Sequence, residues 1–283
     1  MPRQLPSFDL VVATVGRSEE LGRFLDSVEA QAYEHVRVVI VDQNADDRVA
    51  ALLQGRPGAL VHVRSRTGLS LARNVGLRNV SADLVAFPDD DCMYPPGLLQ
   101  RVALRFASDP ALDGIAGRAE DADGRSSASW KRDATILTDD NLWNRANAAT
   151  IFLRRELVER LGDFDERLGL GSGEAWGSGE ETDYLIRAVR AGARVEYDPS
   201  LVVEHDVRVD DARVGRRDGA SVGYLLRKHR YPPRVLVRML VRPIGGAALA
   251  ALRLDFPRAG YYAATVLGRV RGYARTSRSN SAA

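Results

Sequence analysis

The chain has 283 residues, of which 45% are hydrophobic and 28% charged, the composition of a folded globular protein with a sizeable core. Its single cysteine, Cys92, excludes a disulfide framework and any cysteine-based zinc site. The net charge of +2 hides a partition, because residues 207–283 hold 16 Arg/Lys against 4 Asp/Glu and the remainder holds 24 against 34, so that +12 faces −10. Two parts with different partners are expected, 1–206 and a basic, mainly helical extension over 207–283.

The first part alternates short apolar runs with amphipathic segments, the pattern of an α/β sheet flanked by helices. Phe8 to Thr14 reads as a buried strand, and Ser18 as the cap of a helix whose apolar positions are Leu21, Phe24, Leu25 and Val28. Val36 to Val41 is a second strand, with Asp42 just past its end. Leu60 to Val63 is a short third strand, and a helix follows from about Ser70. Leu84 to Phe87 is a fourth strand running into Pro88-Asp89-Asp90-Asp91. The pattern loosens from Ala111, with a strand at Thr150–Leu153 and a helix near Glu156–Leu161. A glycine-rich passage, Gly169 to Gly179, leads into a helix from Glu180 that Gly192 ends. Short strands are expected at Arg194–Tyr197 and Leu201–Glu204. Beyond His205 the chain turns helical and arginine-rich, with Pro232-Pro233, Pro243 and Pro257 as breaks.

Ligands of open α/β sheets bind beyond the carboxyl ends of the strands, where Thr14, Asp42 and Asp89–Asp91 converge. Three consecutive aspartates repel one another unless a cation offsets their charge, and carboxylate oxygens suit Mg²⁺ or Mn²⁺. A second acidic cluster, Glu180, Glu181 and Asp183, opens a helix, where the macrodipole favours acids at any surface.

The segments VVATVGRSEELGRFLDSVEAQ, VVIVDQNADD, RTGLSLARNVGL, VAFPDDD, NAATIFLRRELVERLGDFDERLG and GSGEETDYLIRAVRAGARVEYDPSLVVEH resemble, in this order, an inverting family 2 glycosyltransferase of the GT-A fold. The resemblance runs from Phe8 to His205. It implies a mixed, mainly parallel sheet flanked by helices, a nucleoside-diphosphate sugar as donor, and a glycan or lipid-linked saccharide as acceptor in cell-surface or exopolysaccharide synthesis. It implies Thr14, Asp42, Arg73, Asn74, Asp89 and Asp90 around the nucleotide-sugar, with Asp42 accepting an N–H of the nucleobase. Asp91 and Asp89 would hold the metal, with His205 as a further ligand. Glu181 would be the base that deprotonates the acceptor, with Asp183 or Glu180 as substitutes, and Trp176 and Asn147 would face the acceptor.

Three departures stand out: Glu181 where many relatives have aspartate, Gln43 and Ala45 after Asp42, and Val15-Gly16 in place of Tyr-Asn. The first and third support an alternative, a degenerate nucleotide-sugar-binding scaffold; the second means that the family's base specificity does not carry over. No G-x-G-x-x-G follows the first strand, which argues against a dehydrogenase, and no nucleic-acid-binding motif is present. The N-terminal MPRQLPSFDL lacks the apolar core of a signal peptide. The longest uncharged C-terminal stretch, Pro243 to Leu252, is shorter than the roughly 20 residues that span a bilayer. A cytoplasmic protein is expected, its basic tail resting on an anionic inner membrane face or on its own catalytic domain.

Overall fold

The computed structural model describes residues 5–126, 130–206 and 211–274. They form two compact units: the chain up to Asp165 with the stretch from Glu181, and Glu166–Glu180 with the C-terminal helices. The glycine-rich segment thus groups with the C-terminal helices, a division that differs from the boundary expected after residue 206.

In the first unit, β1 (Phe8–Thr14), α1 (Ser18–Glu29), β2 (Val36–Asp42), α2 (Arg48–Leu53), β3 (Ala59–Arg64), α3 (Leu69–Leu77) and β4 (Leu84–Ala86) alternate strand and helix. Then come β5 (Cys92–Met93), α4 (Leu98–Ser108), β6 (Gly114–Glu120), β7 (Thr135–Ile136), β8 (Phe152–Arg154), α5 (Arg155–Leu161), α6 (Glu180–Arg190, its first residue grouped with the second unit) and β9 (Val195–His205). The sheet order is β3-β2-β1-β4-β8-β6-β9-β5, with β7 beside β9. Strands β3, β2, β1 and β4 are parallel, whereas β8 runs antiparallel to both β4 and β6. Helices on both faces explain why β1 is apolar almost throughout and buried on both sides.

Several local expectations change. Asp42 closes β2 rather than following it. Ser18 is the first residue of α1 and does not cap it; Arg17 holds the cap position, and no side chain bonds to the helix start. The two short strands expected near the end of the unit are one, β9. Pro199 lies within it, at a shift of register where Ala116 pairs with Tyr197 but Arg118 pairs with Val202. A bulge is where a strand tolerates proline, because the ladder needs no N–H there.

One buried carboxylate ties the parallel strands together. Asp9 on β1 is fully buried and accepts both Nε (2.7 Å) and Nη2 (2.8 Å) of Arg37 on β2. It also accepts the backbone N–H groups of Ser81 (2.6 Å) and Ala82 (2.9 Å) ahead of β4. Burial alone would raise its pKa, but the Arg37 and backbone hydrogen bonds outweigh burial and hold it below the ordinary carboxylate value.

The second unit contains α7 (Ala212–Lys228), α8 (Pro233–Leu252) and α9 (Phe256–Ala274). Helices α7 and α9 meet backbone to backbone: a Cβ at Gly272 would lie 2.0 Å from the Ala220 oxygen, and one at Gly223 2.1 Å from the Arg269 oxygen. Of the proline breaks expected in this region, Pro232-Pro233 separates α7 from α8 and Pro257 follows the turn between α8 and α9, whereas Pro243 breaks nothing. Pro257 sits in the first turn of α9, where a missing N–H costs nothing. Pro243 lies inside α8 and leaves the Met239 carbonyl without its helical donor; the Arg269 guanidinium of α9 donates to that oxygen instead. Helix α8 is therefore continuous over 20 residues and holds an 18-residue window with a mean hydropathy of 1.7, long and apolar enough by length and composition to cross a membrane, unlike the uncharged stretch taken alone.

Replacing Asp9 by alanine takes from Arg37 its carboxylate and from two backbone N–H groups their acceptor, and should destabilise the first unit by about 3 kcal/mol. Urea unfolding of wild type and D9A measures it; a loss inside ordinary surface scatter would show that the tie is dispensable.

Candidate functional site

Strand register builds the site. Thr14, Asp42 and Arg64 stand level at the carboxyl ends of β1, β2 and β3. Asp89 bridges Ala13 of β1, which fixes the aspartate run against the same edge. Cys92 of β5 pairs with His205, the last residue of β9, so the backbone carries the imidazole to the aspartates. Cys92 itself is buried, and burial pushes its thiol well above its ordinary pKa, which disfavours the nucleophilic thiolate.

Three cations meet the three aspartates. Nε2 of His205 lies 3.2 Å from Asp91 Oδ1 and 3.5 Å from Asp89 Oδ2. Nη2 of Arg73, on α3, lies 3.3 Å from the other Asp89 oxygen. Nη1 of Arg17 donates to Asp91 Oδ2 at 2.5 Å and to Asp90 Oδ1 at 3.1 Å. Asp89, Asp91 and His205 can each direct one donor atom to a common point, all within 4.8 Å of one another. Two carboxylates and an imidazole are a donor set that suits Mn²⁺ and tolerates Mg²⁺, so the residues fit a divalent cation.

The electrostatics divide the aspartates. Burial raises all three. At Asp91 the His205 imidazole beside it, with Arg17, overcomes burial and brings the pKa to about 2. Asp89 is likewise lowered, by His205 and Arg73 against burial. Asp90 has no such imidazole, and burial pushes it up to about 6 despite the Thr14 hydroxyl and Arg17. For His205, burial favours the neutral ring, but the two carboxylates prevail and raise it to about 10.

Asp42, also fully buried, lies at the next strand end. Oδ1 accepts the backbone N–H (2.9 Å) and side-chain amide (2.8 Å) of Asn44, and Oδ2 is 3.0 Å from His62 Nε2. These bonds outweigh burial and keep it ionised. Asn44 in turn accepts the Gly16 N–H at 2.7 Å, while Gln43 accepts that of Gly68 at 2.7 Å, so the loops after β1, β2 and β3 are knitted together. Neither His62 nor Arg17 was among the residues expected here. The pairing of β3 with β2 brings in the first; Arg17 could have been suspected as the nearest cation to a strand end facing three aspartates.

Arg73 and Asn74 are buried because Gly76, one turn on, lets α3 lie against the sheet; a Cβ there would be 2.3 Å from Val11 Cγ1. Arg73 lines a small pocket with Phe87, Ala148, Ile151, Phe164, Tyr184 and Glu181, so the expected base and the aspartate run share a neighbour. Glu181 is half-buried.

Other expected residues have structural tasks. The Asn74 carboxamide clamps Phe164, donating to its carbonyl (3.0 Å) and accepting its N–H (2.7 Å). Asp183 is fully buried and accepts Arg187 Nε at 3.2 Å, while Arg187 also donates to the Leu161 and Asp163 carbonyls; this carboxylate is an anchor, not an accessible base. Glu180 is buried as well. Asn147 caps the short turn Ala148–Thr150 by accepting the Ala149 N–H. Trp176 offers no open stacking surface: it is 1% exposed, and its ring lies 4.2 Å from that of Tyr224 at 6°, both within the second unit.

Fold and strand-end carboxylates together define a GT-A glycosyltransferase. The chain belongs to glycosyl transferase family 2, whose sequence model matches residues 9–162. It is 26% identical over 219 residues to the succinoglycan biosynthesis protein ExoM of Rhizobium meliloti, covering 73% of this chain and 69% of that one. It is 30% identical over 191 residues to a pre-mycofactocin glycosyltransferase of Mycobacterium tuberculosis, covering 61% of this chain but 38% of that protein's length. The fold is shared with the mannosyltransferase PcManGT of Pyrobaculum calidifontis, solved in complex with GDP-Man and Mn²⁺: TM-score 0.64, 18% identity, 95% of this chain and 88% of that one. It is also shared with residues 1–349 of TarS from S. aureus, with a TM-score of 0.55, 18% identity, and coverage of 76% and 65%.

In cation-free protein the His205 ring should stay protonated through pH 8, well above an ordinary histidine, and histidine NMR reads this directly. The stabilisation it lends is fully present below its unfolded pKa of about 6.5 and is lost as pH rises through the folded value. A His205 titrating near its ordinary value would mean that it does not face Asp89 and Asp91.

Proposed function

We propose that this glycosyltransferase is a divalent-metal-dependent, inverting enzyme that moves a sugar from a nucleoside diphosphate to a hydroxyl of a glycan or lipid-linked saccharide, in cell-surface or exopolysaccharide synthesis. The observation that carries this reading is the convergence of Asp89, Asp91 and His205 at the sheet edge, with Arg73 reaching from Asp89 to the pocket that Glu181 lines. Asp91, Asp89 and His205 are the residues that would hold the cation, which when bound neutralises the departing diphosphate. Asp42, braced by Asn44 and His62, offers the nucleobase a fixed acceptor, and Thr14 lines the same end of β1. Arg17, whose guanidinium has two forked edges, is placed to exchange a carboxylate for a phosphate oxygen.

Glu181 is the base. It takes the proton of the acceptor hydroxyl as that oxygen attacks the anomeric carbon; the new C–O bond forms as the bond to the diphosphate breaks on the opposite face, inverting the centre. Its half-buried position suits this role, whereas the buried, arginine-bound Asp183 does not. The reaction would take place on the cytoplasmic side, at the inner face of the cell membrane.

Calorimetry with UDP-, GDP- and dTDP-sugars in the presence of Mg²⁺ or Mn²⁺ tests the reading; wild-type protein that binds none of them overturns it. Glu181→Gln should lower transfer by about 10²–10⁴-fold while leaving donor affinity unchanged. Full transfer by that variant moves the base elsewhere. Asp91→Asn should weaken Mn²⁺ binding about tenfold or more, since it removes a charged ligand while keeping the side-chain shape.

A further inference from the structure

Helix α8 is the least covered element of the second unit: only 17% of its most apolar window is buried, and the residues turned inward are Val235, Pro243 and Ala250. Val237, Val241 and Ile244 recur at helical spacing and form one exposed face. Arg234, Arg238 and Arg242, each four residues apart and all exposed, run along the flank of that face.

The turn into α9 is more exposed still, with Leu252 at 83%, Leu254 at 73% and Phe256 at 67%. Arg253 and Arg258, also exposed, bracket it. Leu254 is the residue after the α8 cap and has φ of +58°, a left-handed conformation that favours glycine or asparagine. A leucine kept at a strained position with its side chain in water contributes nothing to this unit's own packing.

We infer that the α8–α9 hairpin docks on an anionic lipid leaflet, with Leu252, Leu254 and Phe256 set at the boundary between headgroups and acyl chains and the exposed face of α8 lying along it. The arginines select the partner. They lie at the edge of the apolar face, where a guanidinium reaches lipid phosphate while its stem stays in the apolar layer. Their distribution also decides the mode of binding: arginines occur throughout the first three turns of α8 and again after it, so the helix lies in the interface rather than crossing the membrane. This deepens the peripheral-membrane part of the reading above, and vesicle binding tests it without donor, acceptor or turnover.

The full chain should float with phosphatidylcholine vesicles that contain phosphatidylglycerol and not with phosphatidylcholine alone, and added salt should release it. Leu254→Gly relieves the backbone, so its melting temperature should hold or rise while vesicle affinity falls. Combined with Leu252→Ser and Phe256→Ser it should lower affinity about tenfold or more. Binding that ignores lipid charge overturns the inference, as does binding unchanged in the triple variant. Absence of vesicle binding together with dimers that the triple variant dissolves would assign the face to a second copy of the chain and overturn it equally. Wild-type donor binding, measured on the same samples, separates failure here from failure of the catalytic reading.

Discussion

The first unit is organised around a problem of like charge. Asp89, Asp90 and Asp91 are adjacent in sequence and all partly withdrawn from water, a combination that would repel strongly if the carboxylates stood alone. The fold supplies one cation from each of three distant elements: Arg17 from the loop after β1, Arg73 from α3 and His205 from the end of β9. Each depends on a different piece of architecture: the first on the bridge of Asp89 to Ala13, the second on the close seating of α3 at Gly76, the third on the pairing of Cys92 with His205. With His205 protonated, the cluster is balanced from within. In the proposed reaction an incoming dication meets a compensated site rather than a bare acidic one, and its affinity depends on how readily His205 yields its proton and Arg17 its carboxylate.

Most of the strands before Asp89 were legible because their runs are short, apolar and followed by turn chemistry, and because both faces of a parallel sheet are buried. Strand β6, in contrast, went unread. Its sequence, GIAGRAE, has two glycines and two charges, and at Gly117 a Cβ would lie 2.2 Å from the Leu201 oxygen. The glycine that disguises the strand is the one the bulge in β9 requires. Pro199 misled in the same way, by dividing in sequence what is continuous in the sheet. Local propensity yielded in both cases to a tertiary fit that no window of sequence contains.

The candidate site divides along a similar line. Asp42, Asp89 and Asp91 could be placed from strand ends, since position along a strand fixes position at the sheet edge. Roles that depend on what a side chain touches could not. The amide of Asn74 turns to the Phe164 backbone, Asp183 to Arg187, and the indole of Trp176 to Tyr224. A motif of acids at a helix start does not reveal how far each carboxylate is withdrawn from water; the structure buries Glu180 and Asp183 and leaves Glu181 half-buried.

Charge partition and glycine placement meet in the C-terminal unit. Its excess of arginine is only partly spent on its own packing: Arg269 is drawn inward, where burial lowers its pKa, and it serves the carbonyl that Pro243 leaves open. Glycines at the α7–α9 contact remove side chains from that interface, so these two helices hold together by backbone approach rather than by a large apolar core. Apolar side chains are consequently available for other surfaces, and on α8 they point outward beside exposed guanidinium groups. A helix pair whose contact needs few large side chains can present its leucines, valines and phenylalanine to something else without losing its own fold. The same economy makes an interfacial hairpin compatible with a chain whose overall composition looks like that of any globular protein.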